Sequence, residues 1–387
     1  MVKIVYRIKK VLITINQAIV NRKRISNYYN TDYNKKVLIA YLTTAFKHKN
    51  SYRHSNTLEG VTAAEIFNEL GYQVDVANYN SSLSIDFSNY DVVYGMGTLF
   101  ERSFYSQSKK LKRIFYATGC NPIYSNIATT LKVRSFFELS NLLIPESSRI
   151  IKESQHFQIL LSDAVIVLGN EYVKSTYLKY DTIENRYSNL NAFYFDVHIP
   201  DVSKKNFKTA RNHFVWFGSS GALHKGLDIA IEYFLVHPEL TLHICGLSNT
   251  ESKFFNFYKD RIESSDNILN HGFVDITSDL FINIMNGSCF ALFPSISEGG
   301  APALLNVIAN GALIPIYSKS TGVDLEEFGC EVEEITIDAF SDAINSMLQL
   351  DDEQLAYKAQ SVLEFVRKNY TYSIYKNNLR NIICKVL

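Results

Sequence analysis

From residue 36 onward, short apolar runs alternate with longer amphipathic segments. The first run is "KVLIAYL", at 36 to 42, and five more follow at 73–79, 91–97, 112–119, 163–170 and 191–197. Short buried strands separated by amphipathic helices are typical of a parallel α/β sheet. The segment after the first run carries Ala63, Ile66 and Phe67 at helical spacing and ends at Gly71, which suits a left-handed helix cap.

A proline- and lysine-containing segment, residues 198–213, interrupts this series, and we interpret it as an interdomain linker. A second series of apolar runs follows, at 213–218, 240–246, 267–273, 289–295 and 313–318. A chain of 387 residues suits two domains of ordinary size. The sequence therefore predicts an α/β fold with two doubly wound, Rossmann-like domains that face each other across a cleft. Ligands of such sheets bind beyond the carboxyl ends of the strands.

Composition excludes several classes of function. The 39 basic residues are balanced by 39 acidic ones, which gives no charge argument for a nucleic-acid partner. No apolar run approaches the roughly 18 to 20 residues that span a bilayer, and no signal peptide is recognisable. The cysteines lack CxxC spacing, which predicts reduced thiols in the cytoplasm rather than a zinc site or disulfides. They are Cys120, Cys245, Cys289, Cys330 and Cys384.

The N-terminal segment, residues 1–35, is locally basic. Residues 1 to 36 contain nine lysines and arginines against the single acid Asp32. Apolar residues recur there at helical spacing, which predicts an amphipathic arm that could lie on an anionic membrane surface. The alternative is that this stripe packs on the protein itself and its charges are solvated. The apolar positions are Ile4, Ile8, Val11, Leu12, Ile15 and Ile19.

Two loops that follow strands of the second series contain candidate functional residues. In "FGSSGALHKGLD", residues 217–228, Gly218 and Gly221 allow close approach of a ligand, and Lys225 adds a positive charge. A plain turn with a surface lysine is the alternative. In "SISEGGAPALLNVIANG", Glu298 precedes a helix that opens at Pro302. The alternative role for Glu298 is to complement the helix dipole.

Together these loops and "NHGFVD" resemble the donor domain of family 4 retaining glycosyltransferases, which have the two-domain GT-B architecture. The similarity is greatest to bacterial enzymes that build surface polysaccharide. It covers residues 213–329 well and 36–205 only through the αβ pattern and "RHSNTLEG". The resemblance implies an acceptor-side domain over 36–205, a donor domain over 206–369, and a C-terminal helix, 370–387, that crosses back to the first domain.

The resemblance also implies roles for individual residues. Lys225 would contact the diphosphate of a nucleotide-sugar, Glu298 would face the transferred sugar, and Gly299 and Gly300 would offer backbone N–H groups. The family's ribose-binding glutamate is replaced by Asn306, and its arginine after the first loop glycine is replaced by Ser219. The implied donor-binding set is Gly218, Ser219, Ser220, Lys225, Glu298, Gly299, Gly300, Ala301 and Asn306.

Acceptor-side residues are less legible in the sequence. The resemblance would place His54 and Asn56 near the acceptor, whereas a satisfied surface histidine is the alternative. Arg149 and Lys152 could meet phosphate from the first domain or lie on a solvated helix. For Glu171 the sequence does not decide between a functional contact and a solvated surface position. His271 is expected to be structural or close to the nucleotide.

The resemblance implies a retaining transfer of a sugar from a nucleotide-sugar to a glycan or lipid-linked glycan, and the sequence is consistent with a place in the cytoplasm or at the inner face of the membrane. We expect no cofactor and no metal, because no DxD motif occurs and Lys225 with a helix N-terminus could stabilise the leaving phosphate. One alternative is a catalytically idle sugar-nucleotide-binding or scaffolding subunit, which Asn306 and Ser219 favour. An epimerase or phosphorylase on a similar scaffold is another.

Overall fold

The computed structural model describes residues 24–46, 54–108, 110–247 and 251–387. The greater part of the predicted amphipathic arm, residues 1–23, therefore lies outside the described residues. Within the described ranges, no helix combines the length and the apolar character needed to cross a membrane.

The first domain is built on a six-stranded sheet with the order β2-β1-β3-β4-β5-β6, in which every pair of neighbours is parallel. Its central strands are apolar on both faces, as expected when helices cover both sides of a sheet. The strands are Lys35–Tyr41 (β1), Tyr72–Asn78 (β2), Val92–Gly95 (β3), Lys112–Ala117 (β4), Ala164–Leu168 (β5) and Tyr187–Leu190 (β6). The helices are Asn56–Glu69 (α1), Gly97–Arg102 (α2), Pro122–Ser140 (α3), His156–Leu161 (α4) and Glu171–Leu178 (α5).

The second domain contains another parallel six-stranded sheet, with the order β12-β11-β10-β7-β8-β9. Its strands are His213–Phe217 (β7), Thr241–Cys245 (β8), Ile268–Gly272 (β9), Phe290–Phe293 (β10), Ile314–Ser318 (β11) and Cys330–Val332 (β12). Its helices are Phe207–Ala210 (α6), Leu227–Leu235 (α7), Ser252–Glu263 (α8), Asp279–Gly287 (α9), Pro302–Gly311 (α10), Ile337–Leu348 (α11) and Asp352–Asn369 (α12). The predicted doubly wound α/β class is confirmed, whereas the short edge strand β12 had not been predicted.

Strand order fixes where each sheet can hold a ligand. The first sheet reverses its order between β1 and β3, and the second reverses between β7 and β10. At such a switch point the loops after the two strands run to opposite faces, which opens a crevice at the carboxyl ends. The loop with Lys225 follows β7 and the loop with Glu298 follows β10, so the topology itself brings these two loops together.

The prediction of a strand over 191–197 is wrong. The last strand of the first sheet is β6, and residues 191–200 have no regular secondary structure. Their backbone is bound by side chains of α10 instead: Phe195 donates its N–H to Asn306 Oδ1 at 2.8 Å, and Val197 donates to Asn310 Oδ1 at 3.1 Å. The segment 191–197 is apolar because it is buried against neighbouring secondary-structure elements, although it pairs with no strand.

The chain ends in a helix, Tyr372–Val386 (α13), which lies on the first domain. Tyr372 and Thr62 of α1 join their hydroxyl groups at 2.8 Å, and Tyr375 and Tyr116 of β4 do so at 3.1 Å. At the other end of the chain, Ile25 forms an antiparallel bridge with Val76 of β2. This part of the basic N-terminal segment thus belongs to the edge of the first sheet.

Candidate active site

A cavity of about 470 Å³ lies between the two domains, at the carboxyl ends of both sheets. This volume is within the range of sites that bind small molecules. The second domain lines it with the loops after β7 and β10, and the first domain lines it with residues after β1, β3 and β4. The cavity therefore joins both switch points, and its walls require both domains.

Lys225 and Glu298 meet on the second-domain wall of this cavity. The Lys225 ammonium donates a hydrogen bond to Glu298 Oε1, and each side chain is only 13% exposed. Burial raises the pKa of Glu298, but the charges of Lys225 and then Arg149 outweigh burial and lower it to about 2. Burial lowers the pKa of Lys225, which its attraction to Glu298 partly offsets. The pair is thus a buried contact between an ammonium group and a carboxylate.

Arg149 reaches the same carboxylate from the first domain. Its Nη1 lies 3.6 Å from Glu298 Oε2, and its side chain is 49% exposed toward the cleft. Glu298 consequently has a cation beside each of its two oxygens, one from each domain. Arg149 therefore does not lie on a purely solvated helix surface, which was the alternative prediction.

His224, next to Lys225 in the chain, connects the domains from a buried position. Its Nδ1 lies 3.2 Å from Thr129 Oγ1 of α3, and its Nε2 is hydrogen-bonded to the carbonyl of Ser297. Because burial outweighs the attraction of Glu298, the pKa of His224 falls to about 4. The imidazole is therefore neutral near pH 7 and adds no charge to the cavity.

A buried ion pair also joins the first domain to the loop that carries Lys225. Lys132 of α3 lies 2.7 Å from Asp228 in the first turn of α7, and both side chains are less than a tenth exposed. Lys132 and Thr129 are three residues apart on α3 and so share one face of this helix. That face holds the loop 221–228 from outside the cavity.

The glycine loop after β7 uses part of its backbone internally. Gly221 and Ala222 donate their N–H groups to the buried carboxylate of Glu251, at 2.5 and 3.0 Å. Gly221 has φ +91°, which favours glycine. Gly218, Ser219 and Ser220 line the cavity. Two of the backbone donors in this loop are thus already occupied by a carboxylate of the same domain.

The loop of Glu298 is packed directly onto the first domain. A Cβ on Gly299 would lie 2.4 Å from the carbonyl oxygen of Thr118, and one on Gly300 would lie 2.9 Å from Cβ of Ala192. Ala301 has φ +33°, an uncommon conformation for a residue with a side chain, immediately before α10 begins. The double glycine therefore permits the domains to touch beside the cavity. Gly299 and Ala301 line the cavity, whereas Gly300 packs against Ala192.

Asn306 lines the cavity but already has hydrogen-bond partners. Its Oδ1 accepts from the N–H of Phe195, and its Nδ2 donates to the carbonyl of Pro302 at 2.8 Å. The side chain is only 6% exposed. Its amide connects α10 to the irregular segment 191–200 that follows β6, a contact that the motif alone did not predict.

The first-domain wall brings His54 and Asn56 together with a residue that sequence reasoning missed, Glu59. Glu59 is 3% exposed, and its carboxylate accepts hydrogen bonds from Tyr41 Oη at 2.6 Å and from Ser55 Oγ at 2.7 Å. The only sequence signal was its place in "RHSNTLEG", one helical turn after Ser55. Both carboxylate oxygens of Glu59 are thus bound by hydroxyl groups of the first domain, and the residue lines the cavity.

His54 itself accepts a hydrogen bond at Nδ1 from the N–H of Asn56, at 3.2 Å. The residue is exposed, yet it lies within the cleft beside charged residues. Desolvation there lowers its pKa below the ordinary value of 6.5, with the charge of Glu59 opposing the shift. Because Nδ1 accepts a hydrogen bond, the ring proton of His54 is at Nε2, which can act as a donor.

Three other residues singled out in the sequence do not line the cavity. Lys152 is exposed, and Glu171 pairs with Lys174 at 2.9 Å on the surface of α5. His271 lies on the edge strand β9, where its Nε2 is 3.0 Å from Nδ1 of His243, while His243 Nε2 is 3.1 Å from Nδ1 of His213. His271 thus belongs to a row of three stacked imidazoles, and its expected role, structural or close to the nucleotide, stays a prediction. All five cysteines are free thiols.

No protein-family model matches the sequence, and no curated protein matches it. Solved structures do resemble it. HepE from Anabaena, crystallised with UDP-glucose, superposes with a TM-score of 0.59 at 11% identity, over 90% of this chain and 99% of that chain. The catalytic domain of starch synthase IV from Arabidopsis thaliana, bound to ADP and acarbose, gives a TM-score of 0.56 at 10% identity, over 92% and 99% of the two chains. The chain has the GT-B fold.

A third similar structure is longer than this chain. A point mutant of TarM from S. aureus, in complex with fondaparinux, alpha-GlcNAc-glycerol and UDP, gives a TM-score of 0.56 at 16% identity. The match covers 78% of this chain but only 56% of the TarM chain. At such identities the comparison establishes the GT-B fold, and chemistry has to be argued from the residues in the cleft.

Proposed function

We propose that this protein transfers a sugar from a nucleotide-sugar to a hydroxyl group of a glycan or lipid-linked glycan, with retention of anomeric configuration, in the synthesis of a surface polysaccharide. The observation that carries the proposal is the buried Lys225–Glu298 pair at the β7/β10 switch point of a GT-B fold. Other proteins support the proposal as well, because proteins with similar folds were crystallised with UDP, UDP-glucose or ADP.

The diphosphate would lie against Lys225, close to the N-terminus of α10. Breaking the bond between the anomeric carbon and the diphosphate oxygen places negative charge on the leaving group. A fixed cation and a helix N-terminus stabilise that charge more in the transition state than in the bound substrate. The acceptor oxygen forms the new bond to the anomeric carbon on the same face, and its proton passes to the leaving diphosphate.

Glu298 would have a different partner in each state. Without substrate it pairs with Lys225 and Arg149, and with substrate the diphosphate would take over those cations. The carboxylate is then available to accept hydrogen bonds from sugar hydroxyl groups. Glu59, His54 and Asn56 on the opposite wall would bind the acceptor.

A thermal-shift screen with UDP, ADP, GDP and their glucose conjugates tests the donor site. A ligand that binds only the folded protein raises the melting temperature. We expect at least one nucleotide to do so, and we expect Lys225→Ala to abolish the shift. Glu298→Ala should lower turnover more than nucleotide affinity. If both variants keep every ligand-induced shift, the proposed donor site is wrong.

Catalytic turnover separates this proposal from the idle-subunit alternative. An enzyme releases nucleotide diphosphate only when a suitable acceptor is added, whereas an idle subunit binds the nucleotide-sugar without consuming it. Asn306 is the observation that keeps the alternative open, because its amide is engaged with Phe195 and Pro302. The presence of Lys225, Glu298 and Glu59 in one cavity favours the enzyme.

We also propose that residues 1–35 contact the inner face of a membrane, which would suit a lipid-linked acceptor and a cytoplasmic location. Flotation of the protein with anionic liposomes tests this proposal. The truncation should end at residue 23, because Ile25 and Tyr28 are hydrogen-bonded to β2 and belong to the first domain. Equal flotation of the full chain and of the truncated protein would contradict membrane contact.

A further inference from the structure

We propose that Arg149 of the first domain supplies the second cationic contact to the donor diphosphate, a contact that the loop after β7 cannot supply at position 219 because Ser219 is uncharged. This inference rests on the proposed function and names a residue of the same site. It means that both domains contribute residues to the phosphate site.

The first observation is the position of the guanidinium group. Arg149 Nη1 lies 3.6 Å from one oxygen of Glu298, while Lys225 donates to the other oxygen. The two cations thus flank one carboxylate at the edge of the cavity. Half of the Arg149 side chain is exposed, and the residue lines the cavity that a ligand would enter.

The second observation is that the glycine loop leaves room for this arginine. A Cβ at Gly221 would lie 2.6 Å from Cδ of Arg149 and 2.8 Å from Cγ. The aliphatic part of Arg149 therefore crosses directly over the backbone of the loop that follows β7. Arg149 reaches the cavity along the loop that contains Ser219.

The third observation concerns what else in the loop could bind an anion. The N–H groups of Gly221 and Ala222 are occupied by Glu251, and Ser219 is uncharged. Lys225 and Arg149 are the two lysine or arginine side chains among the described residues that line the cavity, against the acidic residues Glu59, Asp275 and Glu298. A diphosphate carries at least two negative charges, and a bidentate guanidinium suits its geometry. Arg149 is the cation placed to provide that contact.

One consequence is a coupling between donor binding and domain closure. Arg149 and Lys225 come from different domains, so a diphosphate held by both can bind tightly only when the cleft is closed. Removing the first-domain cation should weaken diphosphate binding without affecting recognition of the base and ribose.

Calorimetric titration with UDP, ADP and GDP tests the inference, with the corresponding nucleosides as a control for base recognition. Arg149→Gln should weaken binding of the diphosphate by about ten- to a hundredfold, as expected for the loss of one charged hydrogen-bonding partner. Nucleoside binding should not change. Lys152→Gln, an exposed cation in the same segment, should leave both affinities unchanged.

The decisive variant combines Arg149→Gln with Ser219→Arg. A cation restored at position 219 should recover most of the lost diphosphate affinity, which a merely structural role for Arg149 would not allow. Arg149→Lys provides a folded, charged comparison if the glutamine variant is unstable, and it should retain an intermediate affinity.

Three outcomes would overturn the inference. Unchanged UDP affinity in Arg149→Gln would leave the proposed function intact but remove Arg149 from the donor site. A loss of acceptor-dependent turnover alone, with unchanged diphosphate affinity, would assign Arg149 to the acceptor instead. If the wild-type protein binds none of the three diphosphates, the proposed function fails together with the inference.

Discussion

Lys132 and Asp228 form an ion pair of 2.7 Å between the two domains, and both side chains are buried. A buried charge that loses its partner is costly, so Lys132→Met should lower the free energy of unfolding by about 3–5 kcal/mol. Urea denaturation measures this effect. Arg134→Met on the same helix is the matched control, because Arg134 and its partner Glu138 are exposed, and it should cost less than about 1 kcal/mol.

The double variant Lys132→Met with Asp228→Leu makes the test sharper. Replacing both charges by apolar groups should recover much of the stability lost in the single variant. A Lys132→Met protein as stable as the wild type would show that this pair does not hold the domains together.

Gly299 should not tolerate a side chain, because its Cβ would meet the Thr118 carbonyl at 2.4 Å. We expect Gly299→Ala to force the domains apart and to lower turnover by at least tenfold. Gly119→Ala is the matched control at the same contact: its Cβ would lie 3.9 Å from the nearest atom, Gly299 N. Small-angle scattering should show a larger radius of gyration only for Gly299→Ala, and equal activity of the two variants would contradict the steric argument.

Asn306 should contribute to stability through its contact with Phe195. Asn306→Ala leaves the buried N–H of Phe195 without its acceptor, which should cost about 1–3 kcal/mol. The exposed Asn286, changed to alanine, is a control in the same domain. Thermal unfolding without ligand measures the effect. A loss of nucleotide affinity with no loss of stability would instead support direct contact between Asn306 and the donor.

Stability should fall as the pH decreases from about 6.5 to 4. Burial, followed by the charges of His213 and His271, lowers the pKa of His243 to about 4, and burial does the same for His224. The unfolded chain then binds protons that the folded chain excludes, so each histidine can reduce stability by up to ~3 kcal/mol over that window. Glu298 affects stability at lower pH. Its contribution to the free energy of unfolding is complete above pH 4.5 and is lost as the pH falls toward 2.

Urea denaturation at pH 7.5 and pH 5 measures this dependence. His243→Asn should flatten the pH profile, because the central imidazole of the row is removed. An unchanged profile in that variant would assign the acid sensitivity to other groups.

Turnover should survive EDTA. Lys225 and Arg149 place positive charge beside the expected diphosphate, where a metal would otherwise act. The measurement compares initial rates with and without the chelator at saturating donor. Complete loss of activity that manganese restores would refute metal independence.

The local parts of the site could be predicted from the sequence. Lys225 and Glu298 lie in loops whose glycines and following helices are visible in a few residues, and the strand order brings the loops together. The contact between Arg149 and Glu298 could not be predicted, because it depends on how the two domains face each other. Glu59 was missed because its burial depends on the packing of α1 against Tyr41 of β1, which the local motif does not show. The segment 191–197 was mistaken for a strand, since its hydrogen-bond partners Asn306 and Asn310 are more than a hundred residues away.

The carboxylate of Glu251 has a consequence for how this protein meets its ligand. It holds the N–H groups of Gly221 and Ala222 as a bound anion would. The glycine loop is therefore ordered when the chain folds, and a ligand does not have to lose affinity in fixing it. A ligand can then bind quickly, because this loop does not have to change its conformation. The conformational entropy that binding costs is lost mainly as the two domains approach each other.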